Sequence, residues 1–155
     1  MKNIHLQLLD RAMRLRTWSA GSVVLAGMLA GCHSANEYQP QATPTELSAY
    51  AASTKFPTDA QPQFNPYITA VVDGGAKQLT IRNFDGPSLV NFNVWVNKTY
   101  VLHVDRLDPK KAKLINLGDM YNSSGNNDLT PDKVSTVQVV MPDGKLYNVQ
   151  GPQMM

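Results

Sequence analysis

Val134-Ser135-Thr136-Val137-Gln138-Val139-Val140-Met141-Pro142-Asp143-Gly144-Lys145-Leu146-Tyr147-Asn148-Val149-Gln150 holds two alternating runs around a turn signal. Pro-Asp-Gly suits a type I turn followed by a left-handed glycine, which makes a three-residue hairpin loop. That loop pairs Met141 with Lys145, Val139 with Tyr147, and Val137 with Val149. The opposite face pairs Val140 with Leu146, Gln138 with Asn148, and Thr136 with Gln150. One face is mostly apolar and the other mostly polar, so turn chemistry and burial select the same register.

The same grammar extends upstream to Tyr67. Short alternating runs predict seven strands: Tyr67–Val72, Gln78–Asn83, Leu89–Val96, Tyr100–Asp105, Ala112–Leu117, Val134–Met141 and Lys145–Gln150. Asp73-Gly74-Gly75, Asp85-Gly86-Pro87, Asn97-Lys98, Asp108-Pro109 and an Asn122–Asp132 loop separate them. In the central hairpin, a two-residue Asn97-Lys98 turn pairs Phe92 with His103 and Trp95 with Tyr100, which mixes the faces. Burial overrules it. A bulge or a longer turn puts Phe92, Val94, Val96, Tyr100, Leu102 and Val104 together.

The expected fold is therefore all-β, a small antiparallel β-sandwich of about seven strands over residues 67–152. Seven short antiparallel strands resemble an immunoglobulin- or fibronectin-III-like sandwich. The chain departs from that pattern by having no cysteine pair. Trp95 also lies on the face opposite Phe92 and Val94. An architecture carries no function by itself.

The N-terminal residues speak to location. Arg11, Arg14 and Arg16 precede an apolar run from Trp18 to Ala30, 13 residues long. A helix needs about 20 residues to span a bilayer core, so this run describes a secretory signal rather than a span. It ends in Leu29-Ala30-Gly31-Cys32, which resembles the lipobox of bacterial lipoproteins at all four positions. The resemblance implies cleavage before Cys32, diacylation of its thiol, and acylation of the new amino group. Palmitate-type chains are the expected anchor, and two or three are needed because one binds only marginally. Met13 makes a second conventional start. His33 rather than Asp follows Cys32, which favours the outer over the inner membrane in enteric-type bacteria.

Residues 1–31 then form the signal peptide, and residues 32–155 keep 10 of 14 basic and 11 of 12 acidic groups, a net charge of −1. No basic field remains to attract nucleic acid. Residues 32–66 are rich in Pro, Gln, Ala, Ser and Thr and predict a flexible, disordered tether. Within it, Glu46–Ala52 has helical character after a Thr45 cap, too short to persist alone in water. A docking motif around Tyr50 is the functional alternative.

Candidate sites are few. Trp95, Asn91, Asn93 and His103 share the polar face of the central hairpin, an arrangement that suits stacking on a sugar ring. The competing expectation is that Trp95 packs under a loop or the tether. The Asn122–Asp132 loop offers oxygens but only Asp128 and Asp132 as charges, so no metal is expected. Lys110, Lys111 and Lys113 read as a solvated turn. No nucleophile elbow, zinc-protease motif or phosphate loop occurs, and neither a cofactor nor catalysis is expected. The sequence points to a non-catalytic periplasmic-envelope lipoprotein that binds or braces another envelope protein, met through a sheet edge or strand addition. A glycan-binding module is the alternative, with hydrolysis a remote third.

Overall fold

The computed structural model describes residues 42–154, with side chains described as far as Val149. The signal peptide, the Met13 start, Leu29, Ala30, Gly31 and Cys32 lie outside the described residues. Seven strands follow one helix: α1 (Pro44–Ser53), β1 (Gln63–Asp73), β2 (Gln78–Asn83), β3 (Leu89–Val96), β4 (Tyr100–Leu107), β5 (Lys111–Asn116), β6 (Val137–Val140) and β7 (Leu146–Met154).

The strands form one mixed sheet in the order β4-β3-β6-β7-β1-β2-β5. Every neighbouring pair is antiparallel except β1 and β7, which run parallel. The edge strands β4 and β5 are consecutive in the chain, joined at Asp108–Lys110, so the sheet curls into a nearly closed barrel. The expectation of a wholly antiparallel arrangement is thus corrected. The parallel ladder is irregular, with register shifts between Phe64 and Thr69 and between Thr69 and Val71. Pro66 falls in the first shift and Pro152 faces the second; neither has an N–H to give a ladder.

Both predicted hairpins keep their expected partners. Val139 opposes Tyr147, Val140 opposes Leu146 and Gln138 opposes Asn148. Gly144 takes φ +82°, the left-handed conformation the turn requires. In the central hairpin, Val96 opposes Tyr100, Val94 opposes Leu102 and Phe92 opposes Val104. The longer turn is Asn97-Lys98-Thr99, with φ +54° and +59° at the first two residues. Asn97 suits that strain and also anchors the turn: its Oδ1 accepts from the Ser135 and Thr136 amides at 2.9 and 3.1 Å, and its Nδ2 donates to the Lys133 carbonyl at 2.6 Å.

The interior is lined by alternate residues from all seven strands. Ile68, Ala70, Val72, Leu79, Ile81, Phe92, Val94, Val96, Val104, Ile115, Val137, Val139 and Val149 form one cluster, each at most 6% exposed. Each large apolar side chain there contributes roughly 1.5–3 kcal/mol by leaving water. Asn83 is buried among them without cost, since Nδ2 donates to the Pro87 carbonyl at 2.9 Å and Oδ1 accepts from the Gly86 amide at 3.0 Å. Gly86 must be glycine: a Cβ there would sit 2.8 Å from Cβ of Tyr67.

Several boundaries move. The sixth strand shortens from Val134–Met141 to Val137–Val140, and the fourth runs on past Asp105 to Leu107. The sheet begins at Gln63 and runs to Met154, wider than 67–152. Residues 44–53 are not spacer but helix. Thr43, not Thr45, is the cap. Its Oγ1 accepts from the Glu46 amide at 3.3 Å, and the Glu46 carboxylate accepts from the Thr43 amide at 2.7 Å, a complete capping box with Pro44 at the first helical position. Docking supplies what an isolated helix of this length lacks.

Candidate functional site

The outer face of β3 and β4 is where the sequence places a ligand platform, and α1 covers it. Trp95 is 3% exposed and sits in a second cluster with Ala51, Val101 and Tyr121. Phe56, from the segment after α1, meets its ring edge-on at 5.4 Å between centroids. The exposed indole expected for sugar stacking is therefore absent. The reason is register: the longer turn sends Trp95 outward, and the helix then buries it, the outcome set against the platform from the start.

Beside Trp95 runs a polar row. The Tyr50 hydroxyl on α1 donates to Asn93 Oδ1 at 2.6 Å, and His103 Nδ1 lies 3.0 Å from the same oxygen. A carbonyl oxygen only accepts, so this contact is a hydrogen bond in the forms of His103 that carry a proton on Nδ1. Its Nε2 then faces Asp105 Oδ1 at 3.5 Å. The Tyr50 ring lies over His103 at 5.7 Å, tilted by 54°. Asn93 thus ties the helix to both strands of the hairpin. Asn91 is exposed at φ +51° and takes no part in the row. Of the four platform residues, the structure joins Asn93 and His103 directly, buries Trp95 and leaves Asn91 apart.

Sequence reasoning missed two features. The Trp95 indole N–H and Gln138 Oε1 are buried with no partner, and the two residues are directly opposed across β3 and β6. Second, Phe64, Tyr67 and Phe84 are 67%, 46% and 48% exposed. Tyr67 and Phe84 adjoin, since the Phe84 amide donates to the Tyr67 carbonyl at 2.8 Å. The Arg82 guanidinium covers the Phe84 ring at 5.4 Å. The signal was available: Phe-Asn-Pro-Tyr and Asn-Phe-Asp place aromatics at a strand start and in a turn, where no core position needs them.

The polar loop is a folded connector. Asn122 Oδ1 accepts from the Ser124 and Asn126 amides at 2.9 and 3.0 Å. Asp128 accepts from the Tyr100 hydroxyl at 2.7 Å, which lowers its pKa and raises that of Tyr100. Among the described residues no three His, Cys, Asp or Glu side chains gather at metal-binding distance. Lys113 corrects the solvated-turn expectation: it is 7% exposed, on the core-facing side of edge strand β5. The chain matches no protein-family model, no curated protein and no solved structure.

Proposed function

We propose that this chain is a non-catalytic cell-envelope lipoprotein, held by lipid on Cys32, whose β domain binds or braces another envelope protein. The lipobox supports the anchor, and His33 after Cys32 supports the outer membrane. The exposed pair Tyr67 and Phe84, with Arg82 stacked over Phe84, carries the binding part of the proposal, because aromatics and Arg are the side chains that dominate protein interfaces. Strand addition is the weaker route. Lys113 points inward from edge β5, a device that discourages edge pairing, and a bridge from Val101 to Tyr121 covers part of edge β4.

The finer fold proposal is an immunoglobulin- or fibronectin-III-like sandwich. That reading divides the single sheet at the irregular β1–β7 ladder, into β1-β2-β5 and β4-β3-β6-β7, a three- and four-stranded pair. Docked α1 also shortens the leash. Only residues 33–42 separate Cys32 from the helix cap, at most about 40 Å of extended chain, so the domain works close to the lipid surface.

The test is a photo-crosslinking residue at Phe84 in the membrane-anchored chain, with Ser124 as the control position. The proposal predicts one dominant adduct at Phe84, lost with Tyr67→Ser, and none at Ser124. Identical adducts at both positions would remove the binding surface.

A further inference from the structure

Helix α1 and the strap that follows it, residues 54–62, are fastened to the barrel by little. Of residues 42–62 only Ala51 is buried. Leu47, Tyr50 and Phe56 lie partly buried beside it, against the cluster of Trp95, Val101 and Tyr121. Among the described residues no backbone-to-backbone hydrogen bond joins this segment to the sheet. The polar tie comes from Tyr50, whose hydroxyl donates to Asn93 Oδ1 at 2.6 Å.

The barrel closes its own core without the helix. The large apolar cluster inside the strands and the small one under α1 share no residue. Segments with few buried apolar contacts and solvent-facing backbone bonds open at lower free energy than the strands of a core. A ten-residue helix does not persist alone in water, so α1 melts once it leaves the sheet. Residues 33–62 then form one continuous spacer of 30 residues instead of 10. At roughly 5.5 Å × √n, its root-mean-square span rises from about 17 to about 30 Å. Pro40, Pro44, Pro57 and Pro62 stiffen the released chain and favour extension.

We propose that α1 and its strap are a releasable latch that sets how far the barrel stands from its point of attachment. Closed, the latch covers Trp95, Val101 and Tyr121 and keeps the leash short. Open, it bares that face and triples the length of the spacer. The latch itself is independent of the lipid anchor; only its effect on distance from a bilayer rests on the Cys32 reading.

Amide exchange of the full chain in detergent tests the release. The amides of Tyr50 to Thr54 should exchange at least about tenfold faster than those of Leu79 and Ile81 in β2, and low urea should barely change their rates, because a short opening exposes little surface. Equal rates with equal urea dependence would overturn the latch, since α1 would then open only with the whole domain. Ala51→Asp forces the latch by placing a charge at the buried contact. Its nuclear magnetic resonance spectrum should keep the β1, β2 and β5 resonances dispersed while those of α1 move to coil positions. Ala49→Asp, at an exposed position of the same helix, should leave α1 docked. Loss of the sheet resonances in Ala51→Asp, or release by both variants alike, would also overturn the proposal. Reach is read in vesicles by energy transfer from a dye on Gly74→Cys, in an open turn, to a headgroup acceptor. Transfer should fall in Ala51→Asp and hold in Ala49→Asp; unchanged transfer in a released helix would overturn the effect on distance. A chain that does not sediment with the vesicles would overturn the anchor and leave the latch to be judged by exchange.

Discussion

Trp95→Ala separates a buried keystone from a ligand platform. A tryptophan buries roughly 150–250 Å², which at ~25 cal/mol/Å² corresponds to about 4–6 kcal/mol. That is an upper bound, since alanine keeps part of the burial and the denatured chain already hides some. Core Trp→Ala changes cost about 3–5 kcal/mol, and with Trp95 only 3% exposed under Ala51 and Phe56 we expect that range. Trp95→Phe, which keeps an aromatic ring, should cost about 1–2 kcal/mol. The assay is urea unfolding followed by far-ultraviolet circular dichroism, reading the midpoint at constant slope. Amide exchange supplies a second readout: protection across α1 should fall more than protection in β2 and β5. An exposed platform residue would change stability by no more than about 0.5 kcal/mol. A loss below about 1 kcal/mol for Trp95→Ala, with α1 protection intact, would refute the docking of the helix on this side chain.

Thr43→Ala removes the capping box and should cost about 1 kcal/mol of helix stability, seen as faster exchange of α1 amides with the sheet unchanged. Lys113→Met should hold or raise the unfolding midpoint, because an apolar side chain suits the core face, but should increase light scattering as edge β5 loses its inward charge. Asp119 has its pKa raised by burial, so its charged form opposes folding. Asp119→Asn should therefore stabilise at neutral pH, and the gain should disappear as pH falls below the ordinary carboxylate range. Asp108 shows the reverse sign. Arg106 and then Ser88 hold its pKa low, so its contribution is present at neutral pH and is lost as pH falls through that lowered value; in Arg106→Gln the acid limb of the stability curve should flatten.

The strands were legible because their signal is local. Gln78–Asn83 and Leu89–Val96 begin and end where alternation and turn residues place them. The central hairpin register was legible too, since only one register buries Phe92, Val94 and Val96 together. The parallel β1–β7 ladder was not, because it joins residues at opposite ends of the domain and no turn connects them. The helical character of Glu46–Ala52 was legible, but the docking that makes α1 persist escaped for the same reason. Pro44, Ala49 and Ala51 resemble tether composition, and the helix exists through contacts with Trp95 and Asn93 far along the chain. Burial of Trp95 is the consequence, so the ligand platform vanished with the tether. Lys113 was misjudged because its neighbours Lys110 and Lys111 are exposed and alternation alone turns one lysine of three inward.

The anchored state of Cys32 is tested most directly by the intact mass of the protein extracted from membranes. The account predicts a chain beginning at Cys32 and heavier than its residues by two or three fatty acyl groups with glycerol. A water-soluble product that retains residues 1–31 and carries a bare thiol at position 32 would contradict it.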